Sequence, residues 1–328
     1  MIPAPPAAAA PPSRWGRRVL LGLLALACLT PWATPPMALA AGLVLGLAGL
    51  TPDVRRVQAA TGRVMRASIV LLGFGVPLAE VVLQGASGLV VTAGTIALTV
   101  AAGLWLGRRL GVADDAAMLV ASGTAICGGS AIAAVAPAID ARAEATGVAL
   151  GSVFVLNGLA LFLFPPLGHA LGLSPEAFGA WAALAIHDTS SVVGAAAAYD
   201  AASVPTATIL KLTRALWIVP LVVALVAVRR RRDASAAARV SWRKAVPLFI
   251  ALFVLASAVR ALVPAGVDVF DALALAGRRG LVVSLLLVGA GLTLATIRAV
   301  GWRPFALAVW LWIAASGVAL GLVTAGWV

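Results

Sequence analysis

Long apolar runs, separated by short segments rich in arginine, leave this chain one class of fold. Eleven such runs are visible, at about 16–30, 36–50, 64–83, 87–107, 114–138, 145–166, 177–199, 205–228, 245–263, 280–297 and 304–325. A helix needs about 20 residues to cross the hydrocarbon core of a bilayer. In lipid, only helices and closed barrels satisfy their own backbone hydrogen bonds. The predicted architecture is therefore all-α, a polytopic transmembrane helix bundle of about eleven spans. It occupies residues 16–328 as a single domain, with the first two runs short enough to be tilted hairpin elements. Composition agrees, at 62% hydrophobic and only 11% charged residues, against about 25% charged in a soluble domain. Residues 1–15, opening MIPAPPAAAAPPS, are predicted to be a disordered Pro/Ala-rich tail. Arg14, Arg17 and Arg18 before an apolar run resemble the start of a signal peptide, with residues 38–40 as a cleavage site. The reading adopted is a retained first span.

A net charge of +12 would suggest nucleic acid in a soluble protein. Here the arginines lie between apolar runs, so the charge reads as topology and no nucleic acid is expected. With the N-terminus in the cytoplasm, eighteen Lys and Arg residues fall on the cytoplasmic side, seven of them in a basic loop at 229–244. Four fall on the other side: Arg142, Arg260, Arg278 and Arg279. That bias predicts a bacterial inner-membrane protein with its C-terminus outside. Cys28 and Cys127 both sit in apolar runs and imply neither a disulfide nor a metal site. No cofactor is expected.

Within the fifth run, residues 123–137 read GTAICGGSAIAAVAP. Glycine costs about 1 kcal/mol against alanine inside a helix, and proline about 3 kcal/mol. A segment that only crosses a membrane has no reason to carry Gly123, Thr124, Gly128, Gly129, Ser130 and Pro137. The stretch predicts a broken helix, whose freed N–H groups at a half-helix N-terminus can hold an anion. The competing reading is close packing of a neighbouring helix on small residues.

A second polar run lies at 185–191, AIHDTSS. Of twelve acidic residues, only Asp188 falls well inside an apolar run, where a charge costs several kcal/mol unless paired or hydrated. His187, Thr189, Ser190 and Ser191 surround it. This predicts a second break and a proton or ion site at His187 and Asp188; a plain polar loop is the alternative. Lys211 and Arg214 follow, three residues apart and so on one helix face. With Asp188 they would make an ion-pair network or an anion site, unless they snorkel to the surface. Asn157 reads as helix–helix glue or as site lining, with glue the preferred reading. One internal echo is visible. LLGFGVPL at 71–78 and LVGAGLTL at 287–294 share Gly73 with Gly289 and Gly75 with Gly291 at an offset of 216 residues. On the predicted topology these two runs point in opposite directions, as an inverted repeat requires.

Three blocks, at 123–137, 185–196 and 211–221, together resemble the YeiH / UPF0324 family of integral membrane proteins, named as candidate sulfate exporters. The resemblance covers about 16–325. The family is similar in architecture to the bile-acid symporters and cation/proton antiporters, which have inverted repeats and two unwound helices crossing near the membrane centre. The resemblance implies a secondary transporter. The expected substrate is a small anion such as sulfate, sulfite or an organosulfonate, bound by Thr124, Cys127, Gly128, Gly129, Ser130, Thr189, Ser190, Lys211 and Arg214. The alternative keeps a transporter coupled to Na⁺ or H⁺ through Asp188, with Lys211 and Arg214 as structural counter-ions. An intramembrane enzyme is the distant third reading, since no HExxH or GxSxG context is present. The expected partners are the bilayer, the anion and a coupling ion; a homodimer is compatible with the sequence.

Overall fold

The structure, a computed structural model, describes residues 13–230, 248–294 and 301–327. The Pro/Ala-rich tail up to residue 12, and the basic loop beyond Arg230, lie outside the described residues. Every regular element described is helical. In chain order these are α1 (Arg14–Ala27), α2 (Pro35–Leu47), α3 (Val54–Gly73), α4 (Leu78–Arg109), α5 (Asp114–Ala125) and α6 (Gly129–Ile139). They continue with α7 (Ala143–Ala170), α8 (Pro175–Ala185), α9 (Thr189–Tyr199), α10 (Ser203–Leu216) and α11 (Ile218–Arg230). Last come α12 (Leu248–Leu262), a 3₁₀ turn at Pro264–Gly266, α13 (Val267–Gly291) and α14 (Trp302–Thr324).

Among the described residues, five stretches are long and apolar enough to cross a membrane: Gly88–Arg109, Ala143–Ala170, Ser203–Arg229, Val267–Gly291 and Trp302–Thr324. A sixth is reached if the bent pair α3 and the start of α4 counts as one span. The count of eleven is not reached by length. Helices α1, α2, α5, α6, α8, α9 and α12 each run 11 to 15 residues, short of the ~20 that one span needs.

Two boundaries differ from the sequence reading. The run at 64–83 is not one straight helix: α3 stops at Gly73, and the chain turns by 111° before α4 starts after Pro77. Gly75 lies in that turn, and Pro77, with no N–H to give to a helix interior, stands at the N-cap. The run at 280–297 begins earlier, at Val267, because Arg278, Arg279 and Gly280 lie inside α13 and not in a loop. Residues 38–40 lie inside α2, with Ala38 and Leu39 buried.

Glycine sets how the N-terminal hairpin meets α13. A Cβ on Gly42 would fall 2.1 Å from the Leu286 carbonyl oxygen, and one on Gly289 would fall 2.6 Å from that of Leu39. Helices α2 and α13 thus meet backbone to backbone, as small residues allow in bilayers. Helix α3 runs antiparallel to α13: Gln58 lies by Gly291, Ser68 by Gly280, Leu72 by Gly277, and Gly75 by Ala274. The two echo segments therefore end antiparallel helices, with Gly73 closing α3 and Gly291 closing α13. Gly73 is needed because α12 crosses there, its Phe253 carbonyl 2.4 Å from where a Cβ would stand.

The rest of the chain packs around α5–α10. Helices α4, α7, α10 and α14 surround the short pairs α5/α6 and α8/α9, and the largest buried cluster, with Leu119, Ile126, Ile132, Phe178 and Ile186, fills the space between them. Ion pairs stay at element ends. Arg142 holds Asp115 with two bonds of 2.9 Å, Arg229 meets Asp140 at 3.0 Å, and Arg260 meets Asp271 at 2.6 Å.

Candidate functional site

Both predicted breaks are present, and they meet. Helix α5 ends at Ala125 and α6 starts at Gly129, with Ile126, Cys127 and Gly128 non-helical between them. The break is narrower than the stretch that announced it. Gly123 lies in the last turn of α5, where it admits the Ile132 side chain, and Pro137 lies inside α6. Gly128 is the residue that the turn requires, with φ 61° and ψ −123°, a combination that only glycine adopts without strain. In the second element, α8 ends at Ala185 and α9 starts at Thr189, with Ile186, His187 and Asp188 between. A Cβ placed on Gly128 would lie 3.5 Å from His187, so one break rests against the other.

Four half-helix ends converge here, and a helix leaves four N–H or C=O groups unpaired at each end. Most of the terminal carbonyls of α5 and α8 have a partner. Ser122 and Gly123 oxygens accept from Ile126 and Gly128 N–H groups, and the Ala182 oxygen accepts from Ile186. Four more, and that of Ile186 just beyond α8, are met by two side chains of α10. Arg214 donates through Nε to the Ala125 oxygen at 2.5 Å, through Nη1 to the Leu184 oxygen, and through Nη2 to the Thr124 oxygen at 3.5 Å. Lys211 donates through Nζ to the Ile186 oxygen at 2.6 Å and the Ala183 oxygen at 3.3 Å. Lys211 is 0% exposed and Arg214 1%, which rules out snorkelling. Among the described residues neither pairs with a carboxylate, so the predicted ion-pair network with Asp188 is not formed.

The two N-terminal ends are treated differently. Asp188 caps α9: its Oδ2 accepts from the Ser190 N–H at 3.0 Å and from the Ser190 hydroxyl. Its own N–H donates to Asn157 Oδ1 at 3.2 Å, so Asn157 ties α7 to the break. Helix α6 has no side-chain cap and no acidic residue in its first turn. Around the junction several buried polar atoms have no hydrogen-bond partner: Thr124 Oγ1, Asn157 Nδ2, Ser191 Oγ and both ring nitrogens of His187. Buried polar atoms are paired in the large majority of cases, so this cluster marks a place where the protein alone does not satisfy its own groups. A cavity of about 50 Å³, lined in part by Thr95, Thr99, Leu184 and Leu311, reaches Arg214 from the side of α4 and α14.

Of the residues singled out from sequence, Thr124, Cys127, Gly128, Gly129, Asn157, His187, Asp188, Thr189, Ser190, Lys211 and Arg214 gather at this junction. Ser130 sits in the first turn of α6 and is exposed. Gly73, Gly75, Gly289 and Gly291 are elsewhere, at the ends of α3 and α13. Sequence reasoning missed Trp312, whose ring lies 6.5 Å from that of His187. Its run, AVWLWIAAS, carries aromatic residues that a lipid-facing helix would also use, so nothing distinguished it.

A family model described as conserved hypothetical protein 698 matches residues 19–308. The chain is 44% identical over 295 residues to a UPF0324 membrane protein of Photobacterium profundum, covering 90% of this chain and 88% of the relative. It is 42% identical over 308 residues to one of Shewanella oneidensis, covering 93% and 94%. A relative in Geobacter sulfurreducens is 41% identical over 311 residues, covering 95% and 97%. No solved structure matches the chain. The glycine-dependent breaks and the buried cations thus sit in a chain that belongs, along nearly its whole length, to the UPF0324 family of membrane proteins.

Proposed function

We propose that the protein is a secondary transporter of a small anion (sulfate, sulfite or an organosulfonate) which binds where the two helix breaks meet. The observation that carries this is the uncapped N–H end of α6, which stands at the junction with the unpaired hydroxyl of Thr124 and the unpaired ring nitrogens of His187. The basic side chains Lys211 and Arg214 outnumber the one carboxylate, Asp188. Each half-helix end adds about half a unit, negative at the carbonyl ends of α5 and α8 and positive at the N–H ends of α6 and α9, and the four half-charges cancel. Oxyanions suit such a place, because N–H groups and hydroxyls satisfy their oxygens without a metal. Under this reading Lys211 and Arg214 act through the field they create, not as direct ligands. The arginine bias supports an inner-membrane protein with its N-terminus in the cytoplasm, and the antiparallel echo segments support an inverted repeat.

The test is counterflow of labelled sulfate, sulfite and taurine in proteoliposomes. Thr124→Val removes one unpaired hydroxyl at constant shape. It is expected to leave stability unchanged and to slow counterflow about tenfold, one hydrogen bond of about 1.4 kcal/mol. A monodisperse protein that exchanges none of these anions overturns the reading. A second reading rests on Asp188, the carboxylate at the junction: it couples Na⁺ or H⁺ to another substrate. Na⁺-dependent current that vanishes in Asp188→Asn, without anion counterflow, selects it.

A further inference from the structure

We propose that the cleft between α9 and α13 is an anion-collecting vestibule for the junction, with Arg278 and Arg279 as its recruiting charges. This rests on the reading of the junction as an anion site. The cleft is about 320 Å³, one of several that border α13. Val193, Gly194 and Ala197 of α9 form one wall, and Arg278, Arg279 and Leu285 of α13 the other. Among the described residues, no acidic one lines it. The nearest carboxylate in sequence, Asp200, is turned to the Ala202 N–H at 2.7 Å. Arg279 donates to the Thr30 oxygen at 2.9 Å, which fixes it at the rim. Arg278 is exposed and has no hydrogen bond or ion pair among the described residues.

The inner end of the cleft is shut by packing. A Cβ on Gly194 would fall 2.7 Å from Leu285 Cδ1 and 2.8 Å from Leu161 Cδ2, so these leucines lie directly on the α9 backbone. Gly194 is six residues beyond Asp188 in the same helix, or about 9 Å at 1.5 Å per residue. The vestibule thus stops about one and a half turns short of the junction, with Leu285 as the closing side chain. On the other side of that closure, α13 borders a cleft of only about 70 Å³, lined by Gln58, Thr61, Phe154 and Gly291, with no cation. The two clefts differ in size and in charge, and only the one with arginines suits an oxyanion. Two sources could supply the oxyanion: solutes in water, or the phosphate of a lipid headgroup. The proposal commits to the solute, since α9, which walls the cleft, starts at the junction.

The experiment places a cysteine at Ala197, an exposed lining position, in the otherwise unaltered chain; native Cys28 and Cys127 are buried. Two methanethiosulfonates of similar size, one anionic and one cationic, are reacted with the protein in phosphatidylcholine vesicles at low ionic strength. The anionic reagent is expected to react about tenfold faster, the scale of electrostatic steering. Arg278→Gln should bring the ratio down several-fold, and Arg278→Lys should keep it. Added sulfate should slow the anionic reagent. A ratio unmoved by Arg278→Gln overturns the proposal. So does protection by phosphatidylglycerol in the vesicle with none by sulfate, which would assign the arginines to lipid headgroups. Labelling reads the vestibule without turnover and counterflow reads the junction without the label, so failure of one is told apart from failure of the other.

Discussion

Arg214→Met keeps the length of the side chain and takes away every donor at the point where α5 and α8 end together. The Ala125 and Leu184 oxygens then lose their partner, while the Thr124 oxygen, at 3.5 Å, loses little. An orphaned buried acceptor costs about 1–3 kcal/mol, so the two together cost about 2–6 kcal/mol. Loss of repulsion from Lys211, one turn away, offsets part of this, which puts the expected value near ~3 kcal/mol. At roughly 2 °C per kcal/mol for a large domain, Tm falls by about 6 °C. Arg214→Lys separates the fork from the charge. A single ammonium reaches one helix end but not both, so about half of the loss is expected. The assay is thermal unfolding of the detergent-solubilised protein, followed by intrinsic fluorescence. Arg142→Ala serves as control, since that exposed ion pair is worth at most about 1 kcal/mol. If Arg214→Met shifts Tm by less than about 2 °C, or if Arg214→Lys matches the wild type, the fork does not hold the two half-helices.

Four further outcomes follow from the helix breaks and from the α2–α13 contact. Gly128→Ala is expected to cost about 1–3 kcal/mol, because its φ of 61° with ψ −123° is strained for any other residue. Gly129→Ala, with nothing nearer than 3.5 Å to a new Cβ, is expected to leave Tm within about 1 °C, since alanine suits a helix better than glycine. Gly289→Ala drives a methyl against the Leu39 oxygen and is expected to abolish a monodisperse elution profile, whereas Gly94→Ala, with open space around it, is expected to elute as wild type. Asp188→Asn retains an oxygen that can accept from the Ser190 N–H, so its Tm is expected to stay within about 2 °C; a large drop would mean that the negative charge itself holds the α9 terminus.

What the sequence disclosed was wherever a residue was costly in the place it occupied. Gly128-Gly129, Asp188, and the cations Lys211 and Arg214 each contradict an apolar helix, and all of them gather at the junction. The partners of those residues were not legible. Arg214 reaches carbonyls 89 and 30 residues earlier in the chain, and no local pattern records which backbone groups will lie beside a side chain. Helix ends were obscured for a different reason. Arg278 and Arg279 looked like a boundary because two adjacent arginines are costly in lipid, yet both line a cleft and Arg279 is also tied to a carbonyl. The sharp turn at 74–77 was hidden because its residues, Phe74, Gly75, Val76 and Pro77, are as apolar as the helices they separate.

The capping of α5 by Arg214 also sets an order of events during synthesis. The Ala125 carbonyl emerges 89 residues before the guanidinium that will bind it. At about 5–20 residues per second of elongation, it waits roughly 4–18 s. The Leu184 oxygen, 30 residues ahead, waits roughly 2–6 s at the same rates. Until α10 arrives, the carbonyl ends of both half-helices depend on water or on the insertion machinery for their hydrogen bonds. A nascent chain ending shortly before Lys211 holds both break sequences and neither of the side chains that close them.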